Sequence, residues 1–373
     1  MRITHIITGL DNGGAEAVLT RLCLADMENE HFVISLTTMG KYGPILESSG
    51  IPVHCLNMQR GRLPIRAAWR LWKILRRERP NVAQTWMYHA DLFGGVVARL
   101  AGIKNIIWNV RHSELRPGKS SRITILIARL SAKLSKIVPD KIIVCAKHAY
   151  DVHVALGYDR ERMALIGNGY DLANFRPDSS KRLPRRAQLQ LSAKEPVIGY
   201  VARFNPQKDH ENLFRALVEL RKRGHYVPTL LIGPGLDDQN VPLLNRLDTL
   251  GITDLVYLLG AQENVASWMN AIDLHVMSSS FGEGFPNVLA EAMACGTPCI
   301  STNVGDASHI IGDTGWLVEP RDPIMLADAI EKALGCIEDV EQWCLRKARA
   351  RERIEENFSL ESMVSSYRSA WGQ

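Results

Sequence analysis

Short apolar segments alternate with longer amphipathic segments along most of the chain. In the first half, the apolar segments are residues 3–8, 32–37, 53–56, 82–85, 106–110 and 142–145. In the second half, they are residues 197–201, 229–232, 255–259, 274–277 and 298–301. Short apolar runs that alternate with helical patterns are typical of a parallel sheet covered by helices. The pattern therefore predicts an α/β protein with two similar parallel-sheet halves.

A polar segment that contains two prolines, Pro177–Arg186, separates these halves and is predicted to be a linker. We accordingly expect one domain over residues 1–175 and a second over residues 176–355. A last helical pattern follows in residues 356–373, with large apolar side chains at helical spacing.

The most informative stretch is Ser278–Gly305, which predicts a strand end, a glycine loop and a helix. An apolar strand ends at Met277, Pro286 opens the helical pattern Asn287–Cys295, and Gly296 stops it. The amide groups and the dipole at the start of a helix favour an anion. A phosphate group is the expected ligand at this point.

Two carboxylates, Glu283 and Glu291, flank the start of this helix. At about 1.5 Å rise per residue, they would line one wall of a site without sharing a proton. We therefore interpret them as acceptors for two hydroxyl groups and not as an acid/base pair. The alternative is two surface glutamates on an ordinary helix, which the surrounding sequence EGFPNVLAEAMACGTP makes the weaker interpretation.

Further polar residues follow predicted strands at the ends where ligands bind in parallel sheets. Arg203 and Lys208 follow the first strand of the second half and could both contact phosphate oxygens. Gly13, Gly14 and Glu16 follow the first strand of the chain and begin a helix, although the glycines do not form the dinucleotide-binding pattern. An ordinary strand-to-helix turn is the alternative there.

The Glu283-x7-Glu291 motif in its glycine-proline context strongly resembles the signature of the family-4 retaining glycosyltransferases. The resemblance implies a GT-B fold, in which two Rossmann-like domains face a central cleft, with a C-terminal helix that packs back on the first domain. It also implies that Glu283 contacts the donor sugar, that Glu291 binds the ribose, and that Arg203 and Lys208 neutralise the donor diphosphate. The adjoining residues of the helix start are then expected to bind substrate: Gly284, Phe285, Pro286, Asn287 and Val288.

The resemblance extends, less specifically, to other segments. The Gly13–Glu16 loop is similar to the family loop near the diphosphate and the acceptor. His112 lies where related enzymes often place a histidine near the donor sugar, and a loop histidine without a role is the alternative. The segment Ile166–Asp171 resembles the interdomain crossover of the family, with Gly167 in place of the usual proline. This departure bears only on how rigid the crossover is.

Composition limits the location and the partners of the protein. Seven cysteines without a Cys-x-x-Cys pair favour a reducing compartment, and no apolar run approaches the roughly 18 residues that a membrane-spanning helix needs. Residues 1–175 contain 24 Lys/Arg and 14 Asp/Glu. Within them, Arg60–Arg79 combines arginines with Trp69 and Trp72 at helical spacing. This helix could bind an anionic membrane surface, or its apolar side could face the core, and a second basic helix, Lys119–Lys136, slightly favours the membrane.

The family resemblance implies a retaining hexosyltransferase, and the composition adds a cytoplasmic location, at the inner face of the membrane if the basic helix binds it. It would transfer a hexosyl or N-acetylhexosaminyl group from a nucleotide sugar to a saccharide acceptor, lipid-linked in surface-polysaccharide synthesis. The proposed catalytic residues are Glu283, His112, Arg203 and Lys208. We expect no cofactor, no metal, since no Asp-x-Asp triplet occurs, and no nucleic-acid partner. A nucleotide-sugar epimerase and a non-catalytic nucleotide-sugar sensor are the alternatives.

Overall fold

The computed structural model describes residues 1–58, 65–112, 115 and 120–373. These residues form two compact units. The first unit contains Met1–Gly169 and Leu360–Gln373, and the second contains Tyr170–Ser359. Each unit is built on a parallel sheet flanked by helices, which confirms the predicted α/β fold with two parallel-sheet domains.

Seven parallel strands form the sheet of the first unit. They are β1 (Arg2–Ile7), β2 (Glu30–Ser35), β3 (Val53–Cys55), β4 (Val82–Trp86), β5 (Asn105–Val110), β6 (Lys141–Val144) and β7 (Met163–Leu165). Their order in the sheet is β3-β2-β1-β4-β5-β6-β7. The apolar pattern predicted the first six strands. It missed β7 because this strand has three residues and none of them is fully buried.

Among the described residues of the first unit, six α-helices connect these strands. They are α1 (Gly14–Ala25), α2 (Gly43–Ser48), α3 (Ile65–Glu78), α4 (Gly95–Leu100), α5 (Arg122–Leu134) and α6 (Lys147–Leu156). The predicted basic helices 60–79 and 119–136 correspond to α3 and α5, although residues 60–64 and 119 lie outside the described residues. No helix in the described part of the chain combines the length and the apolar character needed to cross a membrane.

Six parallel strands form the sheet of the second unit. They are β8 (Ile198–Val201), β9 (Thr229–Ile232), β10 (Val256–Gly260), β11 (Leu274–Met277), β12 (Cys299–Thr302) and β13 (Trp316–Val318). Their order in the sheet is β10-β9-β8-β11-β12-β13. The central strand β8 therefore has β9 on one side and β11 on the other. The chain thus changes direction in the sheet between β8 and β11.

Eight α-helices belong to the second unit. They are α7 (Ser179–Gln188), α8 (His210–Lys222), α9 (Val241–Leu250), α10 (Val265–Ala271), α11 (Asn287–Ala294), α12 (Ala307–Ile311), α13 (Pro323–Glu338) and α14 (Val340–Asn357). Leucines, isoleucines and alanines of α8 and α13 pack with β8, β11 and β12 in one apolar core. This core holds the strand ends that carry the candidate site.

The segment predicted to be a linker, Pro177–Arg186, instead forms most of α7 and packs within the second unit. Arg186 is fully buried, and its Nη2 lies 2.5 Å from Oδ2 of Asp273. Arg182 binds the other oxygen of the same carboxylate at 2.6 Å. The linker prediction was wrong because it assumed that a polar segment is exposed to solvent. Here Asp273, which is distant in sequence, pairs with both arginines inside the unit.

The last helix, α15 (Leu360–Trp371), belongs to the first unit and lies beside α1. Tyr367 and Trp371 are fully buried, and Nε1 of Trp371 donates a hydrogen bond to Oε1 of Gln84 at 2.5 Å. Arg368 binds the buried carboxylate of Asp26 at 2.6 Å. These contacts fix the end of the chain on the first sheet.

Candidate active site

The predicted site residues of the second unit lie at the carboxyl edge of its sheet, next to the change of direction between β8 and β11. Ligands of open α/β sheets bind at such switch points, because the loops on either side diverge and leave a crevice. Residues 202–209, here called the β8 loop, carry Arg203 and Lys208. Residues 278–286, here called the β11 loop, carry Glu283.

Lys208 and Glu283 form a largely buried ion pair. Nζ of Lys208 lies 2.6 Å from Oε1 of Glu283, and the two side chains are 16% and 8% exposed. The hydroxyl of Ser279 donates to the same oxygen at 2.6 Å. Two donors on one oxygen hold the carboxylate in a single orientation. The sequence placed Lys208 and Glu283 in one site but did not predict their contact, because 75 residues separate them.

Hydrogen bonds tie the β8 loop to the β11 loop. The amide of Ser280 donates to the carbonyl of Gln207 at 2.9 Å, and the hydroxyl of Ser278 donates to the carbonyl of Lys208 at 3.2 Å. The hydroxyl of Tyr200 donates to that same carbonyl. Sequence reasoning assigned no role to these serines, although three in a row directly after a buried strand are a recognisable signal. These hydrogen bonds hold the β8 loop and the β11 loop in a fixed position relative to each other.

Glycine at position 305 lets the chain after β12 pack directly against the β11 loop. Gly305 has a φ of +63°, and a Cβ there would lie 2.4 Å from the carbonyl oxygen of Glu283 and 2.6 Å from that of Gly284. The amide of Asp306 donates to the Gly284 carbonyl at 2.9 Å. The backbone beside Glu283 is therefore positioned by contact with a residue that cannot carry a side chain.

The β8 loop holds Arg203 with its side chain exposed. Within the described ranges, the guanidinium of Arg203 has neither a hydrogen bond nor an ion pair. The loop backbone is nevertheless fixed, since the amide of Phe204 donates to Pro234 at 2.8 Å and Gly233 packs against the carbonyl of Ala202. A fixed loop with an exposed guanidinium is suited to bind an anion.

The start of α11 offers mainly its backbone to a ligand. Pro286 is the residue directly before the first helical turn, and the helix begins at Asn287, as the sequence pattern predicted. The ring of Phe285 is buried between those of Tyr170 and Phe358, at 6.4 Å and 5.4 Å between centroids. The side chain of Asn287 accepts a hydrogen bond from the Tyr170 hydroxyl at 2.5 Å. The amides of the first turn, together with the helix dipole, are thus the groups suited to an anion here.

Glu291 lies further along α11, on the same helix as Val288, and both are half-buried. Glu291 lines a pocket of about 360 Å³ together with Phe175, Asn264 and other residues, including the first residues of α10. This volume is within the range of small-ligand pockets. Glu283 and Glu291 are therefore in separate surroundings, as the interpretation of two distinct hydroxyl acceptors requires.

In the glycine loop of the first unit, Gly13 packs against the carboxylate of Glu16. Gly13 is extended and precedes α1, which begins at Gly14. A Cβ on Gly13 would lie 2.3 Å from Oε2 of Glu16, so glycine makes room for that side chain. Burial raises the pKa of Glu16 above its usual value, and Asp11 contributes further. The loop is thus a close-packed turn at the carboxyl edge of β1.

His112 follows β5 in the first unit and is half-buried. Its Nε2 lies 2.9 Å from the hydroxyl of Ser120, and its carbonyl accepts a hydrogen bond from the Tyr88 hydroxyl at 3.3 Å. The catalytic role predicted for His112 stays a prediction.

A buried cluster of His5, His31 and Cys23 has side-chain atoms close enough to hold a metal ion. The two histidines instead belong to a chain of hydrogen bonds. Nε1 of Trp86 donates to Nδ1 of His5 at 3.2 Å, so His5 carries its proton on Nε2 and donates to Nδ1 of His31 at 3.0 Å. His31 then donates from Nε2 to Asp26 at 3.1 Å. Every ring nitrogen is engaged, and burial lowers the pKa of both histidines, which keeps them neutral.

Two family models match the chain. Residues 12–174 match the Glycosyltransferase Family 4 model, and residues 195–335 match the Glycosyl transferases group 1 model. The chain is 32% identical over 235 residues to the D-inositol 3-phosphate glycosyltransferase of Nocardia farcinica, an alignment that covers 60% of this chain and 51% of that protein. The chain thus spans about half the length of the first curated relatives it matches.

Other similarities extend over nearly the whole chain. The UDP-Gal:alpha-D-GlcNAc-diphosphoundecaprenol alpha-1,3-galactosyltransferase of Escherichia coli is 22% identical over 94% of this chain and 92% of its own length. The crystal structure of Anabaena Alr3699/HepE in complex with UDP superposes with a TM-score of 0.86 at 22% identity, covering 99% of both chains. Since the two family models together account for most of its length, the chain belongs to the glycosyltransferases of family 4 and group 1, with the GT-B fold.

Proposed function

We propose that this protein is a retaining, metal-independent hexosyltransferase. It transfers a hexosyl or N-acetylhexosaminyl group from a UDP-linked sugar to a saccharide acceptor in cell-surface glycan synthesis. The observation that carries the proposal is the buried Lys208–Glu283 pair, which joins the β8 loop with its exposed Arg203 to the β11 loop that leads into α11. One edge of the second sheet thereby combines an oriented carboxylate with two cations and a helix start.

The reaction breaks the bond between the anomeric carbon and the diphosphate, and forms a bond from that carbon to an acceptor oxygen. Arg203, Lys208 and the first amides of α11 stabilise the charge that develops on the departing diphosphate. The acceptor proton passes to this leaving group on the same face of the sugar, so no protein base is assigned. Lys208 and Arg203 take the place that a diphosphate-bound metal has in other transferases, which is the reason to propose metal independence.

In this proposal, Glu283 binds hydroxyl groups of the donor sugar and Glu291 binds the ribose. The fixed orientation of Glu283 supports the first assignment, since Lys208 and Ser279 both hold its Oε1. The pocket beside Glu291 supports the second. Replacing Glu283 by Ala should lower transfer by about 100-fold or more, the scale seen when one preorganised electrostatic contact is removed. Binding of UDP, measured by calorimetry, should remain, and near-normal turnover would contradict the assignment.

We further propose that the acceptor is lipid-linked and that α3 contacts the anionic inner face of the membrane. The core-facing side of α3 consists of Ala67, Leu71 and Leu75, whereas Trp69 and Trp72 are 55% and 37% exposed. Exposed tryptophans flanked by cations are typical of helices that lie in a membrane interface. The E. coli relative, which acts on an undecaprenol-linked sugar by its name, also supports a lipid-linked acceptor.

Sedimentation with phosphatidylcholine vesicles, with and without phosphatidylglycerol, tests this contact. The wild type should bind the anionic vesicles more strongly, and the Trp69→Ala/Trp72→Ala variant should lose most of that binding. Equal partitioning of the wild type on both vesicles would remove the proposal.

The two alternative functions differ from a transferase in what they release from a nucleotide sugar. A nucleotide-sugar epimerase would release an altered sugar or nucleotide without an acceptor, and a sensor would release nothing. Incubation with a set of nucleotide sugars, with and without glycan acceptors, followed by mass spectrometry, separates the three activities and identifies the donor. Acceptor-dependent release of UDP is the expected result.

A further inference from the structure

A pocket lined by several cations lies in the first unit. It is at the end of the sheet opposite to the Gly13–Glu16 loop and His112. It has a volume of about 390 Å³ and lies between the end of α3 and the turn that follows α4. Its floor is apolar and includes Leu75 and Ile103, while Arg76, Arg79 and Lys104 provide the charged lining. No carboxylate of the described residues lines it.

The three cations of this pocket are not neutralised by the protein. Within the parts of the chain that the structure describes, none of Arg76, Arg79 and Lys104 forms an ion pair or a side-chain hydrogen bond. The nearby Glu78 is engaged elsewhere, since its carboxylate lies 2.7 Å from Arg77. The dipoles of α3 and α4 both end here, and each contributes about half a negative charge. About two of the three positive charges therefore remain for a ligand.

The backbone at Arg79 is a second sign of a binding site. Arg79 directly follows α3 with a φ of +47°, a left-handed conformation that usually requires glycine or asparagine and that costs other residues about 1–2 kcal/mol. The amide of Arg79 donates to the carbonyl of Leu75 at 3.0 Å and so ends the helix. Arg79 lines the pocket from this left-handed position, and strain of this kind is typically found at functional sites.

The pocket is continuous with the exposed aromatic face of α3. The guanidinium of Arg76 lies 5.8 Å from the ring centroid of Trp72, and Nε1 of Trp72 donates to the carbonyl of Leu100 at 3.4 Å. Leu100 is 73% exposed, and Trp69 lies one turn before Trp72. An apolar surface thus adjoins a cationic pocket, which fits an amphiphilic anion better than a free one.

We infer that the pocket formed by Arg76, Arg79 and Lys104 binds the headgroup phosphate of an anionic phospholipid, with Trp69, Trp72 and Leu100 in the interface beside it. The inference rests on the membrane contact of the proposed function and adds a defined anion site to it. A diffuse basic surface responds only to the charge of the membrane. A phosphate pocket also distinguishes an exposed phosphomonoester from a buried phosphodiester.

The test compares two variants in vesicle sedimentation. Arg79→Gln/Lys104→Gln removes two pocket cations, and Lys194→Gln/Lys332→Gln removes two equally exposed cations of the second unit. The vesicles contain phosphatidylcholine with either phosphatidic acid or phosphatidylglycerol at matched surface charge. The first variant should bind phosphatidic acid vesicles roughly 30-fold more weakly than the wild type, and the control should bind nearly as the wild type. The wild type should also prefer phosphatidic acid, and the first variant should not.

The other outcomes overturn the inference in different ways. If the wild type binds anionic vesicles and both variants behave alike, the membrane contact stands and the headgroup site is wrong. If the wild type binds no vesicle, the membrane contact itself fails. In that case, a melting temperature that rises with inorganic phosphate only when the pocket is intact would identify a free phosphate as the ligand. The melting temperature without phosphate checks that each variant is folded, and Lys104→Glu is the alternative variant if the double substitution does not fold.

Discussion

Replacing Gly305 by Ala should disable the candidate site without removing any of its functional groups. A Cβ at this position would lie 2.4 Å from the carbonyl oxygen of Glu283 and 2.6 Å from that of Gly284. Both obstacles are backbone atoms, which cannot rotate away as a flexible side chain can. The β11 loop must therefore move when residue 305 gains a methyl group.

The size of this movement follows from the contact distances. Real Cβ contacts are essentially never shorter than 3.0 Å, so the loop has to move by at least 0.6 Å at the Glu283 carbonyl. A misplacement of about 1 Å in a catalytic group can lower the rate about 100-fold. The φ of +63° adds a backbone cost of about 1–2 kcal/mol for alanine. In a unit of this size, that cost lowers the melting temperature by roughly 2–8 °C.

Gly251→Ala is the matched control for this prediction. Gly251 belongs to the same unit and has the same φ of +63°, but a Cβ there meets nothing within 4 Å. Gly251→Ala should therefore show the backbone cost alone in thermal melting, and Gly305→Ala should lose at least as much stability because the contact with the β11 loop adds to that cost. Release of UDP from the donor sugar should fall about 100-fold in Gly305→Ala and stay near the wild-type rate in Gly251→Ala. Equal rates in the two variants would refute the argument that Gly305 positions Glu283.

Three further predictions concern buried polar groups of the second unit. Ser279→Ala removes a hydrogen bond to Oε1 of Glu283 and should lower kcat more than it raises the donor KM. An unchanged kcat would show that the Ser279 hydroxyl does not contribute to orienting the carboxylate. Asp273→Asn leaves Arg186 buried without a countercharge and should destabilise the unit by about 3–5 kcal/mol in thermal or chemical unfolding. A loss under about 1 kcal/mol would show that the Arg186–Asp273 ion pair does not stabilise the unit. Burial lowers the pKa of His275 to about 3. As the pH falls below about 6.5, this histidine is therefore protonated in the unfolded chain but not in the folded one. The free energy of unfolding then decreases by at most roughly 1.4 kcal/mol per pH unit. The melting temperature of His275→Gln should accordingly depend less on pH than that of the wild type, and identical pH profiles would contradict the assignment.

The elements with a strong apolar period were predictable from the sequence, and those held by distant polar contacts were not. Buried strands such as β9 and β11 were predicted at their observed bounds, because a short, mostly apolar run between breaks in the pattern is typical of a buried strand. β7 and α7 were missed for opposite reasons. β7 is short and partly exposed, whereas α7 is polar and becomes buried through the pairing of Arg186 with Asp273. Sequence distance conceals that kind of pairing.

The same limit applies to the candidate site. The sequence assigned Lys208 to the diphosphate and Glu283 to the sugar as separate groups, since nothing in the alternation of strands reveals that β8 and β11 are neighbours. Their contact does not exclude either role. An ammonium group has three donors, so Lys208 can hold Oε1 of Glu283 and still donate to phosphate oxygens. The pair would then couple the two halves of the donor, because the cation that contacts the leaving group also orients the carboxylate beside the sugar.

This coupling predicts different effects for the two cations of the β8 loop. Lys208→Met should impair both donor binding and turnover, because the substitution removes a phosphate contact and one of the groups that hold Oε1 of Glu283. Arg203→Met should act mainly on donor binding, since the Arg203 guanidinium is exposed and has no bond to the carboxylate among the described residues. Calorimetry with UDP and steady-state kinetics with the donor sugar measure the two effects separately. If both substitutions lowered turnover at saturating donor by the same factor, the coupling through Lys208 would be wrong, because the kinetic loss would then come from the missing positive charge alone.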